Sequence, residues 1–165
     1  MQRVTFTELI SKMSRMPVEI DAAAYEALVK AAVEVQKTAV EKFGHYQSSY
    51  GPFEAWAALA PSTIAQKLKA GSQGDDPLIG HSVHKRSIYP TSLRQSITMQ
   101  VDKATLTAQV GTNDPLGEWH EYGYEEFNVH YPPRPFLRPA LYQKEEWIRQ
   151  TMKEAIGMGL ITWLR

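Results

Sequence analysis

From Asp21 to Phe43, apolar side chains recur at spacings of three and four residues, and no other feature constrains the fold of this chain as strongly. Tyr25, Leu28, Val29, Ala32, Val35, Ala39, Val40 and Phe43 fall on one stripe of an α-helix, because 3.6 residues complete a turn. The helix should be about 35 Å long, with Asp21 as its N-cap and Gly44 as the left-handed residue that ends it. A helix with a single apolar stripe must bury it against another layer, and strands to supply one follow downstream. Ile97, Met99 and Val101 alternate with polar residues, as do Leu106, Ala108 and Val110, with residues 102–104 at the turn. That pattern predicts a hairpin with one dry face.

A second amphipathic helix is expected from Pro139 to Ile156, carried by Leu141, Glu145, Ile148, Met152 and the pair Ala155 and Ile156. Proline suits its first turn, and Gly157 and Gly159 mark its end. The apolar tail 160–165 should dock on the chain's own core or on a neighbour. These pieces make an α+β fold: an antiparallel sheet with a long N-terminal helix and a C-terminal helix packed on one face. One domain, 1–165, accommodates them.

The remaining stretches are read from their composition. Met1 to Pro17 suits a short strand and helical turn, or an arm that orders on a partner. Tyr46, Tyr50, Phe53 and Trp56 lie among Gly51, Pro52 and polar residues, as local core or a loop clasp. Ser62 or Thr63 can cap a short helix reaching Leu68. Residues 71–91 are expected to be a flexible loop, ordering only against a neighbour, since glycine, serine and aspartate give its start no packing material. Pro132, Pro133, Pro135 and Pro139 force an extended strap, because proline fixes φ and restricts its predecessor.

Several function classes are excluded or disfavoured. The chain has no cysteine, so disulfides, thiolate catalysis and cysteine-based metal sites are out. Eighteen basic residues balance eighteen acidic ones, which argues against a free-standing DNA binder, since counterion release rewards a basic excess. There is no signal-like or membrane-spanning run, so a soluble protein that is not exported by the usual route is expected. His120-Glu121 opens like a zinc-protease motif, but the second histidine should stand at 124, where the residue is Tyr124. His81 and His84 sit beside Lys85 and Arg86, a poor setting for a cation. No nucleophile elbow and no phosphate-cradling loop are present. No catalytic residue, cofactor or metal is therefore expected.

Four stretches, in order, resemble the tail-completion or virion-morphogenesis proteins of tailed bacteriophages, the group that includes lambda's Z protein. The first is Trp56 through Leu59-Ala60-Pro61-Ser62-Thr63-Ile64 to Lys67. The second is Pro77-Leu78-Ile79 followed by Ser92-Leu93-Arg94-Gln95-Ser96-Ile97. In the family these two pieces adjoin; here Gly80 to Thr91 intervene and Ser92 stands at the glycine position. The third is Val110-Gly111-Thr112-Asn113 with Trp119-His120-Glu121-Tyr122-Gly123, and the fourth is Pro133-Arg134-Pro135-Phe136-Leu137-Arg138-Pro139-Ala140.

The resemblance implies a structural virion protein at the head–tail junction, a neck or tail-completion ring assembled in the host cytoplasm. It implies a homo-oligomeric ring, hexameric with a dodecamer as the alternative. Its neighbours would be the head–tail connector and the tail terminator or tail tube, with genome DNA passing through the lumen and no membrane partner. The other reading is a cytoplasmic α/β interaction or nucleic-acid-associated module. The interface candidates are Trp119, His120, Glu121, Tyr122, Arg134, Phe136 and Arg138. Arginine and aromatic residues on a stiff strap are the usual anchors of protein interfaces, although Phe136 can equally pin the strap to its own core.

Overall fold

The computed structural model describes residues 6–79, 92–126 and 129–164. Helix α1 runs Phe6–Glu41 and helix α5 runs Leu137–Leu164. Between them lie α2 (Pro61–Lys69), α3 (Leu93–Ser96), β1 (Thr98–Asp102), β2 (Thr107–Gly111), α4 (Pro115–Tyr122), β3 (Tyr124–Glu126) and β4 (Val129–Tyr131). The fold is α+β. Among the described residues no helix is long and apolar enough to cross a membrane.

Both long helices exceed the boundaries expected from local signals. Asp21 lies inside α1 rather than at its cap, and the chain is helical from Phe6 in place of a strand or arm. α5 passes straight through Gly157 and Gly159. Tertiary contact explains both departures. The two helices pack antiparallel, with Phe43 against Phe136 at one end and Gly159 against Ile20 at the other. A Cβ on Gly159 would stand 3.2 Å from Ile20 Cα and 3.3 Å from Glu19 O, so the glycine admits a close crossing instead of ending a helix. Ala24, Ala27, Ala31 and Ala32 are buried along the same seam.

Gly157 has open space where a Cβ would go. Gly157→Ala is therefore expected to stabilise the protein by up to about 1 kcal/mol through helix propensity. Gly159→Leu should destabilise it by about 2 kcal/mol through overpacking. Urea titrations of the two variants check the pair, and equal effects would remove the close-crossing role of Gly159.

The hairpin forms from the two expected strands, antiparallel, with Met99 opposite Val110 and Val101 opposite Ala108. The dry face is only partly met: Ile97 is buried and Val101 half-buried, but Met99 is exposed, as are Thr98 and Gln100. The turn is one residue longer than expected. The Asp102 carboxylate accepts from the N–H of Ala104 (2.7 Å) and of Thr105 (3.3 Å), and Leu106, at φ +48°, belongs to the turn and not to the strand. α1 carries the hairpin directly, Gln36 donating to the Ile97 carbonyl at 2.7 Å. α5 lies alongside, and a groove of about 350 Å³ lined by Leu28, Val35, Val110, Leu141 and Ile148 separates it from β2.

The core sits where the end of α1 meets the start of α5. Val35, Ala39, Phe43, Trp56, Leu93, Ile97, Phe136 and Ala140 form it. The stretch expected to be a flexible loop at 71–91 divides in two. Residues 71–75 turn back beneath α2, whereas 76–79 fold down onto the body, with Pro77 fully buried and Leu78 and Ile79 against the core. Composition hid this because the packing comes from the last three residues of that piece. Residues 80–91, with His81 and His84, lie outside the described residues.

Candidate functional site

The strap after β4 and the helix before it meet at one carboxylate. Asp114 caps α4 by accepting from Leu116 N–H at 3.0 Å, Pro115 fills the first turn, and Gly123, at φ +85°, ends the helix. This short helix aims Glu121 at the start of α5. Its Oε2 accepts from Phe136 N–H (2.9 Å) and Leu137 N–H (3.0 Å), and its Oε1 from Arg138 N–H (2.9 Å). The first N–H groups of a helix have no intrahelical partner and carry the positive end of its dipole. A cap normally comes from the residue just before the helix; the preceding residues here are Pro135 and Phe136, so the acceptor arrives from fifteen residues upstream.

Glu121 is 4% exposed and forms an ion pair with Arg138, whose Nε lies 3.0 Å from Oε1. The Arg138 guanidinium also donates to the Glu121 carbonyl and lies over the Tyr122 ring at 4.4 Å. A buried carboxylate is tolerable only when its charge and lone pairs are met in this way.

Arg134 does not present itself to a partner. It is 5% exposed, and its Nη2 donates to the Ala57 (2.9 Å) and Ala58 (3.2 Å) carbonyls while its own N–H donates to the His120 carbonyl. Burial lowers its pKa from the usual arginine value. Its expected place at an interface is thus corrected: four bonds to neutral carbonyls make it an internal staple, three of them from the guanidinium to the loop after Trp56, since Nε also donates to the Ala57 carbonyl at 3.2 Å. Phe136 is likewise wholly buried, edge-on to Phe43 at 5.0 Å, and belongs to the core. Trp56 Nε1 donates to the Pro135 carbonyl at 3.2 Å and closes the same knot.

Trp119 is half-buried and stacks on Tyr124 with ring centroids 4.4 Å apart, Tyr131 lying beyond. β3 and β4, not expected from the sequence, exist to hold those two tyrosines against it. The His120 ring packs edge-on against Tyr131, and its Nδ1 is buried with no hydrogen-bond partner. Burial, reinforced by the Arg134 charge, pushes its pKa down to about 4. It is a neutral packing residue at pH 7. Among the described residues no group of three His, Asp or Glu side chains is placed to hold a metal ion.

Of the seven candidates, then, Tyr122 and the outer half of Arg138 face solvent. They open onto a surface formed in part by Tyr50 and Phe53, which the sequence offered only as local core or a loop clasp; Tyr50 is exposed. Phe53 lies 5.7 Å from the Arg138 guanidinium, Tyr142 stacks edge-on against both Phe53 and Tyr50, and Leu141 stands beside it 55% exposed. Gly51 makes this shelf possible: at φ +55°, a Cβ there would lie 2.4 Å from the Tyr142 ring. Glycine and proline between Tyr50 and Phe53 were the available signal, since a turn puts flanking aromatics on one side.

The shelf is rich in tyrosine, and its one cation is already paired with Glu121. Such a surface suits a protein partner better than phosphate, which needs unpaired cations. Comparison with protein-family models, curated proteins and solved structures finds no match to this chain.

Proposed function

We propose that the chain is a structural virion protein of a tailed bacteriophage, a neck or tail-completion subunit that joins tail to head by assembling into a ring. One observation supports this reading above others: the four stretches that carry the resemblance converge on a single knot. Trp56 bonds to Pro135, Arg134 to Ala57 and Ala58, and Glu121 to Phe136, Leu137 and Arg138, while Leu93 and Ile97 pack with Phe136. Motifs scattered through the chain by chance would have no reason to meet. Beside the knot lies the exposed shelf of Tyr50, Phe53 and Tyr142, whose composition supports a structural role in assembly. The ring would be hexameric, or dodecameric, in contact with the connector on one side and the tail terminator or tube on the other.

The test is in vitro complementation. Purified protein should restore head–tail joining to extracts lacking it, and electron microscopy should show it as a ring at the junction. Failure to restore joining, together with a salt-sensitive shift of duplex DNA, would favour the nucleic-acid module instead. Tyr122→Ser probes the contact surface. Tyr122 is 65% exposed, so folding should change by no more than about 0.5 kcal/mol. Association should weaken by about 2 kcal/mol if it is an interface anchor. Joining at the wild-type rate would remove Tyr122 from the contact.

A further inference from the structure

Helix α2 buries one side chain, and it is a lysine. Its apolar residues do not reach the core. Ile64 and Leu68 fold back over Gly74, whose missing Cβ would stand 2.8 Å from Leu68 Cγ, and Leu68 remains 56% exposed. Gly71 and Gly74, both at positive φ, turn the chain beneath the helix. Gly71 N–H donates to the Leu68 carbonyl, and both the N–H and the hydroxyl of Ser72 bond to the Lys67 carbonyl. Residues 61–75 therefore close on themselves as a satellite lobe.

The lobe meets the body through Lys67. Its Nζ, in a residue 2% exposed, donates to the Ile79 carbonyl at 2.9 Å and to the Asp76 carbonyl, and forms an ion pair with the Asp76 carboxylate. That seat belongs to the body. Pro77 is fully buried and its carbonyl accepts from Gly44 N–H at 2.9 Å, while Leu78 and Ile79 pack on the core. Leu78 is held at φ +63°, a conformation that non-glycine residues adopt at a cost when their surroundings impose it. On the upstream side Arg134 pins Ala57 and Ala58, so the chain is fixed just before the lobe begins. At the surface Tyr46 Oη donates to Asp75 at 2.6 Å, an exposed contact.

An apolar anchor would add the full transfer free energy of its buried area to docking. A buried ammonium group does not, because desolvating the two charges offsets most of their attraction. Docking of this lobe is thus far weaker than the cohesion of the core. We propose that residues 61–75 undock from the seat 76–79 as a unit while the core stays folded, with Lys67 as the latch. Undocking uncovers the Asp76 carboxylate and two carbonyls. A free nine-residue helix does not persist in water, being shorter than the roughly 12–15 residues that an isolated helix needs. The lobe's amides therefore exchange whenever it opens.

Native-state hydrogen exchange on the full chain tests this. The amides of Ile64, Ala70, Gly71 and Ser72 should open about 100-fold or more often than those of Ala32, Val35 and Ala39, and with little dependence on urea. Lys67→Met should leave the lobe unprotected with the core still folded. It should also lower α1 protection by no more than the protection factor the lobe shows in the wild type, because docking can contribute no more than its own free energy. Equal opening of lobe and core in the wild type overturns the proposal. So does a Lys67→Met protein that loses more α1 protection than that bound, or that does not fold. Asp76→Asn should show the same bounded pattern, and a breach of the bound there counts equally against it.

Discussion

Glu121→Ala is expected to lower folding stability by about 4 kcal/mol, the usual cost of removing one partner from a buried charged pair. For a chain of this size that corresponds to a fall in Tm of about 12 °C. The change strips three backbone N–H groups of their acceptor and leaves the Arg138 guanidinium without its carboxylate. Phe136 N–H is buried and has no route to water. Leu137 and Arg138 are partly open, which limits the loss. Glu121→Gln should fall between the two: its amide oxygen can accept, but its NH₂ faces N–H donors.

Thermal unfolding and exchange at the first turn of α5 check the effect, and Arg138→Ala supplies the contrast. Arg138 is half exposed, so its truncation should cost about 1 kcal/mol. A loss below about 1 kcal/mol for Glu121→Ala would mean that water or the strap caps α5 just as well.

The same residue shows where sequence reasoning stops. Glu121 drew attention through a broken zinc-protease pattern and through the resemblance, yet its task depends on a partner fifteen residues away that no local rule connects to it. Arg134 has the same history. Beside proline and phenylalanine it has the composition of an interface anchor, and only the third dimension reveals the Ala57 and Ala58 carbonyls that absorb it.

What was legible followed from periodicity. The α1 stripe, the presence of the hairpin and the α+β arrangement came from side-chain spacing, because burial tends to impose its period along an element, although Met99 is exposed on the face expected to be dry. Helix ends were legible only where the signal was local, as at Gly44, whose φ is +86°. Asp21 and Gly157 misled because the antiparallel neighbour extends each helix past its local stop. β3 and β4 escaped because three-residue strands carry no period at all. The aromatic shelf was half visible: Tyr50 and Phe53 stood out beside Gly51, but their partner Tyr142 lies on a helix far along the chain.

Acid should weaken the fold through His120. With the folded pKa at about 4 against an ordinary value of 6.5, the folded state resists the proton that the unfolded chain takes up. The sign follows from linkage: stability is complete above pH 6.5 and is lost as pH falls toward 4, where the loss levels off. Across the full window it amounts to about 3 kcal/mol, and between pH 6.5 and 5 to about 2 kcal/mol, at roughly 1.4 kcal/mol per unit.

The upper part of that window isolates the histidine. Glu34 and Asp102, whose pKa values are lowered by Lys144 and by the Ala104 N–H respectively, lose their contributions only at more acid pH. Arg134 keeps its charge throughout and holds the imidazole neutral from the strap side, while the Tyr131 ring covers it from β4. His120→Phe keeps an aromatic ring against Tyr131 and gives up no side-chain hydrogen bond to Nδ1, which has none. Its stability should be nearly flat from pH 6.5 to 5, while the wild type loses its 2 kcal/mol. Urea unfolding at the two pH values decides between them. Parallel losses in both proteins would show that the imidazole takes its proton in the folded state, and that the packing around Tyr131 opens to let it.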